Sequence, residues 1–277
     1  MRAWWIAPFL LTGCSQDSGE TADTHEPDDT GEAPPVDCEP GTREGAAGET
    51  DGLESADGIS YNVRAPAEYD PTRAHPLLVV YAPAGGDPDT TEDFTRLTQD
   101  ALDAGMVIAY PDHVSPTSAS VIERLGRIPG EVAARWCIDP ERVYLTGHSD
   151  GGSTASVIAI WELLDPAPAA IAPSAAGVDA DWVEAAGCPG PMPVMVLHST
   201  GDTLFSVSQG FGEAVAQWWA TCNACGPKPT APLEDGCVAW PDCAEGTEVL
   251  YCEGTRAHGY WPSLNASMIA FFGRHER

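Results

Sequence analysis

Arg142-Val143-Tyr144-Leu145-Thr146-Gly147-His148-Ser149-Asp150-Gly151-Gly152-Ser153-Thr154-Ala155 is the stretch that decides the fold. Its first part is β-branched and aromatic, as in a buried strand, and its last part is small, as at the start of a closely packed helix. Between them stands Gly-x-Ser-x-Gly, with a glycine two positions to either side of Ser149. Those glycines let the chain turn sharply from strand to helix and lift the serine hydroxyl above the sheet. The pentapeptide alone is weak evidence, but the strand before it and the helix start after it make Ser149 a candidate nucleophile.

Working outward, the same alternation recurs along the chain. Ile59, Tyr61 and Val63 alternate with period two, as in a half-buried early strand. Pro76–Tyr81 and Met106–Tyr110 are short apolar runs bounded by Pro, Gly and Asp, suited to strands buried on two faces. A helix is expected between them over Thr91–Ala104, with Phe94, Leu97, Ala101 and Leu102 on one stripe. Another is expected over Val121–Trp136, broken or kinked at Pro129-Gly130. Beyond Ser149 the pattern gives a helix at Gly152–Leu164, strands at Ala169–Ala172 and Pro193–His198, and a helix at Gln209–Cys222. A strand at Glu248–Cys252 and a helix at Pro262–Arg274 complete it. Strands alternating with helices imply an α/β fold, a mainly parallel sheet with helices on both faces.

A serine hydroxyl is a poor nucleophile at neutral pH. It needs a histidine to take its proton and a carboxylate to hold that histidine in the right tautomer. On a strand–turn–helix elbow the partners follow in the order Ser, Asp, His. Asp202 stands just past the apolar strand Pro193–His198, and His258 stands just past the strand ending near Cys252. Both therefore fall at the carboxyl edge of the sheet, beside the elbow. Rivals fail on position. Asp150 adjoins Ser149 and is expected to project away from the imidazole, Asp112 precedes the nucleophile, and Asp179 and Asp181 belong to a connecting loop. His198 is the serious rival base, but a place nearer the strand interior suits a buried, hydrogen-bonded histidine better.

The chain has 277 residues, enough for one sizeable α/β domain with an appendage. Its net charge of −29, with 13 Lys+Arg against 42 Asp+Glu, excludes nucleic acid and anionic membrane surfaces as partners for want of a basic patch. Residues 15–57 hold 14 acidic residues and one basic residue, Arg43. From Ser15 to Asp37 they are nearly free of large apolar side chains, which reads as a disordered acidic tether. Ahead of it, Arg2 precedes the apolar Ala3–Leu11, closing on Leu11-Thr12-Gly13-Cys14. The run is too short to span a bilayer and resembles a bacterial lipoprotein signal peptide. The resemblance implies loss of residues 1–13 and a lipid on Cys14, so that 14–57 tether a catalytic domain over 58–277. Ser15 after the cysteine points to the outer membrane or cell surface, with the membrane met through the anchor only. The remaining eight cysteines read as a disulfide framework in an exported protein. Cys222-Asn223-Ala224-Cys225 is alternatively half of a zinc ribbon or a redox pair, although no matching histidine pattern accompanies it.

Three segments together resemble the α/β-hydrolases that include polyhydroxybutyrate depolymerases and feruloyl esterases. They are Trp136–Gly152, Thr200-Gly201-Asp202 and His258-Gly259-Tyr260-Trp261-Pro262, within a likeness covering roughly residues 58–273. The resemblance implies a disulfide-stabilised α/β-hydrolase fold and an exported serine esterase using Ser149, Asp202 and His258. Its substrate would be a carboxylic ester, polymeric in the case of a polyester or a plant polysaccharide ester, and it would need neither cofactor nor metal. It also implies a Cys225–Cys243 bridge. The group usually carries His-Gly-x-Gly-Gly after its third strand, where this chain has Ala82-Pro83-Ala84-Gly85-Gly86. Aligned on that loop, the oxyanion hole falls to the amides of Ala84 and Asp150. The altered loop keeps two other readings open: a surface binding lipoprotein that has lost catalysis on this fold, and a serine peptidase sharing the same three residues.

Overall fold

The computed structural model describes residues 37–228, 231–233 and 235–277. The expected signal peptide, Cys14 and most of the acidic tether lie outside them. Nine strands form one sheet: β1 (Gly48–Glu54), β2 (Ser60–Ala65), β3 (His75–Tyr81), β4 (Val107–Pro111), β5 (Ile138–His148), β6 (Ala170–Ser174), β7 (Val194–Ser199), β8 (Cys237–Trp240) and β9 (Val249–Gly254). Their spatial order is β1-β2-β4-β3-β5-β6-β7-β9-β8. From β4 to β9 neighbouring strands are parallel, and β1, β2 and β8 join antiparallel at the two ends. No described helix is long and apolar enough to cross a membrane.

The parallel strands are buried on both faces because both sides of each are apolar. Along β3, Leu77, Val79 and Tyr81 join one core while Leu78 and Val80 join the other. The first core is capped by α3 (Ala119–Gly126), α4 (Ile128–Ala133), α5 (Asp150–Ile160) and α7 (Glu213–Cys222), through residues such as Leu125, Val132, Ile158 and Trp219. The second is capped by α2 (Thr98–Asp103) and α8 (Asn265–Phe272), through Ala101, Met268, Phe271 and Phe272. Covered on both faces, the sheet has the α/β-hydrolase architecture expected.

Three expectations are corrected. The single helix over Thr91–Ala104 is two, α1 (Pro88–Thr95) and α2, broken at Arg96 with φ of 53°. Asn265 of α8 stabilises the break by donating to the carbonyls of Thr95 and Arg96, a tertiary cap that no local pattern reveals. In the next helical stretch the break comes at Arg127, ahead of Pro129-Gly130, because Pro129 is tolerated within the first turn of α4. The folded unit also begins before residue 58. Strand β1 pairs with β2, Cys38 is bonded to Cys137, and Gly45 packs on the Trp136 ring while its N–H donates to Arg135. Strand β1 is mostly exposed and polar, so backbone pairing holds it rather than an apolar face.

All eight cysteines of the framework are paired: Cys38–Cys137, Cys188–Cys222, Cys225–Cys243 and Cys237–Cys252. Cys222 and Cys225 thus take different partners, and the Cys225–Cys243 bridge joins the residues the resemblance named. Cys237 and Cys252 stand opposite each other in the β8/β9 ladder.

Candidate active site

Ser149 forms the corner between β5 and α5, with φ of 57° and ψ of −115°. A non-glycine residue in that region is strained by about 1–3 kcal/mol, held here by the surrounding packing. The glycines are required by close approach. A Cβ on Gly147 would come within 2.6 Å of the Tyr81 oxygen, and one on Gly151 would overlap that same carbonyl. Gly152 leaves no more room, since a Cβ there would meet the Ser174 oxygen at 2.5 Å. The elbow is therefore wedged between the ends of β3 and β6, and the N–H of Ser149 donates to the Ser174 carbonyl over 3.0 Å.

Asp202 follows β7 and His258 follows β9, so three parallel strands deliver their residues to one edge. His258 Nδ1 lies 2.6 Å from Asp202 Oδ2, and Nε2 lies 2.9 Å from Ser149 Oγ. A carboxylate can only accept, so Nδ1 carries the proton and Nε2 is left to accept from the serine hydroxyl. The other carboxylate oxygen, Asp202 Oδ1, accepts the amide N–H groups of Leu204 and Phe205, each at 2.9 Å. Burial raises the Asp202 carboxyl, but the His258 hydrogen bond and these amides outweigh it and hold the group below its ordinary value.

The rival residues have other work. Asp150 Oδ2 lies 2.9 Å from His113 Nε2, away from the imidazole of His258. Asp112 accepts the N–H of His113, and Asp179 caps α6 (Ala180–Ala186) by accepting from Trp182. His198 is buried; its Nε2 donates to the Phe205 carbonyl over 2.7 Å and stands 3.7 Å from Asp202, and burial lowers its pKa. It fastens the turn that carries Asp202.

Two contributors escaped the sequence reading. His148, placed there only as part of the elbow, is 3% exposed and donates from Nε2 to the main-chain oxygen of His258 over 2.6 Å. Its place as the last residue of the nucleophile strand was the available signal. Phe205 presents its ring to His258 edge-on, with centroids 5.1 Å apart, and no motif marks it.

Ala84 is exposed in the turn Pro83–Gly86, which is closed by the N–H of Gly86 donating to the Pro83 carbonyl over 2.9 Å. Asp150 is the first residue of α5, so its N–H has no carbonyl one turn earlier within the helix. Beside this helix start a cavity of about 470 Å³ is lined by Asp150, Ser153, Phe205 and the apolar Ile122, Val157 and Val178, with Trp161 and Trp182 at one wall. A second hollow of about 270 Å³ is lined in part by His148, His258, Tyr260 and Trp261. Among the described residues, no group of three or more His, Cys, Asp or Glu is placed to hold a metal ion.

No protein-family model matches the chain. Feruloyl esterase B of Piromyces equi is 26% identical over 219 residues, and the match covers 69% of this chain. The chain spans only 40% of that relative's length. Among solved structures, an acetyl xylan esterase from Aspergillus awamori superposes with a TM-score of 0.61 at 15% identity, over 83% of this chain and 99% of its own. A thermostable esterase gives 0.54 at 19% identity, over 81% of this chain and 62% of its own. An S-formylglutathione hydrolase from Staphylococcus aureus gives 0.57 at 13% identity, over 82% and 98%. The fold is that of the α/β-hydrolases, and these similar proteins are esterases and serine hydrolases.

Proposed function

We propose that this protein is a serine hydrolase of carboxylic esters that works through an acyl-enzyme. The observation that carries this reading is His258, which bridges Ser149 Oγ and the buried Asp202 at the carboxyl edge of the sheet. As Ser149 Oγ attacks the ester carbonyl, its proton passes to His258 Nε2, and Asp202 stabilises the imidazolium that forms. The amides of Ala84 and Asp150 hold the oxyanion. Collapse of the tetrahedral adduct breaks the ester C–O bond, and the leaving alcohol takes the proton from His258. Water, deprotonated by the same nitrogen, then attacks the acyl carbonyl; as that adduct breaks its bond to Ser149 Oγ, the serine takes the proton back from His258 and the acid is released.

Within the group that includes polyhydroxybutyrate depolymerases and feruloyl esterases, esters borne on plant polysaccharide are favoured as substrates. The similarity to feruloyl esterase B and to an acetyl xylan esterase supports that choice. The cavity beside Ser153 and Phe205 is of a size that takes an acyl group larger than acetyl, and its tryptophans suit an aromatic one. Export and lipid anchoring at Cys14 belong to the same reading, supported by the Leu11–Cys14 motif and by four disulfides. Palmitate labelling of cells expressing the chain, lost in Cys14→Ala, tests the anchor.

The catalytic test is a fluorophosphonate probe together with turnover of methyl ferulate, acetylated xylan, short polyhydroxybutyrate and a matched anilide. Labelling at Ser149 with ester turnover is the expected result. An unlabelled Ser149, or a Ser149→Ala variant with full esterase activity, would reject the assignment. Labelling without turnover of any activated ester would favour a binding protein, and preference for the anilide a peptidase.

A further inference from the structure

We propose that His113 is a positioning residue for the oxyanion hole, holding its two arms in register from the end of β4. The inference rests on the oxyanion roles given above to the amides of Ala84 and Asp150.

The two arms belong to different elements. Asp150 opens α5, whereas Ala84 sits in the Pro83–Gly86 turn that follows β3. That turn is exposed at Ala84 and Gly85, and Pro83 has no N–H with which to tie it down. His113 lies just beyond β4, the neighbour of β3 on the side away from β5. Its main-chain N–H is shared between the Gly86 carbonyl at 3.3 Å and the Asp112 carboxylate at 2.9 Å. Its side chain crosses to the other arm, where Nε2 donates to Asp150 Oδ2 over 2.9 Å. One residue thus grips the end of the Ala84 turn with its backbone and the start of α5 with its imidazole.

Oxyanion donors stabilise the transition state only when they are fixed where the charge develops, and displacement by about 1 Å can cost ~10²-fold in rate. The His113–Asp150 pair is well placed to hold them and poorly placed to stabilise the fold. Its side chains are 18% and 29% exposed, where ion pairs add little to folding stability. Removing the strut is therefore expected to slow turnover while leaving the melting temperature nearly where it was.

The experiment compares the full chain with His113→Ala, His113→Gln and Ser149→Ala, using p-nitrophenyl acetate as substrate and phenylboronic acid as a probe whose tetrahedral adduct on Ser149 places an oxygen in the hole. In His113→Ala, kcat should fall about tenfold to hundredfold with KM held within about threefold, and phenylboronic acid should bind more weakly by a similar factor. His113→Gln keeps an N–H near the position of Nε2 and should recover part of both losses. If Ser149→Ala is inactive but His113→Ala keeps kcat within about twofold, the strut is overturned and the esterase reading stands. A loss confined to KM, or one that follows the melting temperature down without recovery in His113→Gln, overturns it as well. Turnover that survives Ser149→Ala removes the oxyanion hole itself, and the strut with it.

Discussion

His148 Nε2 lies 2.6 Å from the main-chain oxygen of His258, so the residue before the nucleophile holds the loop that carries the base. A carbonyl only accepts, so Nε2 carries the proton and Nδ1 accepts from the Ser174 hydroxyl at 3.0 Å. Burial pushes this imidazole down to about 4, from an ordinary value of 6.5. Because the folded value lies below the unfolded one, the unfolded chain takes up the proton first. The stability from the neutral ring is thus present above pH 6.5 and lost as the pH falls toward 4, by roughly 3 kcal/mol in full. His198, also lowered by burial, acts in the same direction. The expected result is a melting temperature that falls across this window and a shallower fall in His148→Gln. An unchanged melting temperature from pH 7 to pH 4.5 would contradict it.

The carboxylate of Asp202 is read by three N–H groups, two from the backbone and one from His258. Asp202→Asn keeps the shape but can offer an N–H where His258 needs an acceptor, which favours the wrong tautomer. A fall in kcat of about 10⁴ with little change in KM is expected. Steady-state kinetics with near-UV circular dichroism separate this from misfolding; a well-folded variant within tenfold of the parent would remove Asp202 from the mechanism. Its lowered carboxyl stabilises the fold above pH 3.8 and loses that contribution only below, so this titration is separate from that of His148.

What could be read in the sequence is what chain-local chemistry enforces. The elbow was legible because only glycine fits against Tyr81 and Ser174, and Asp202 and His258 were legible because parallel strands deliver their ends to one edge. Features held by distant partners were not. The break at Arg96 depends on Asn265, β1 depends on pairing with β2, and β8 is a four-residue edge strand tied by Cys237 to Cys252. The roles of His148 and His113 follow from contacts to the main chain of His258 and the side chain of Asp150, which spacing does not encode.

Gly151 and Gly130 make a contrasting pair. A Cβ on Gly151 overlaps the Tyr81 carbonyl, an atom fixed in β3 that cannot move aside cheaply, whereas one on Gly130 in α4 meets nothing within 4 Å. Gly151→Ala should therefore displace Ser149, cutting activity by at least about a hundredfold and stability by about 1–3 kcal/mol. Gly130→Ala should leave activity alone and raise stability by about 0.5–1 kcal/mol. Equal effects in urea titrations of the two variants would count against the wedged elbow.

The bridge between Cys38 and Cys137 closes a sequence separation of 99 residues, against 15 for Cys237–Cys252. In the chain-entropy account the longer loop restricts the unfolded chain more, about 4.7 kcal/mol for a loop near 100 residues against about 3 for one near 15. The shorter bridge also joins residues that the β8/β9 ladder already holds opposite each other. The Cys38 end has fewer ties. Around it the described chain is fastened mainly by the Cys38 N–H to Thr72, the Gly45 N–H to Arg135 and the Trp136 indole to Ala46. Replacing both partners avoids leaving a free thiol. The Cys38→Ser, Cys137→Ser double variant should thus lose more stability than Cys237→Ser, Cys252→Ser, and should keep its ester turnover, since neither residue approaches Ser149 or His258. Denaturant midpoints under non-reducing conditions decide the matter. If the Cys38 variant is as stable as its parent, the segment before β1 is held by its backbone contacts alone.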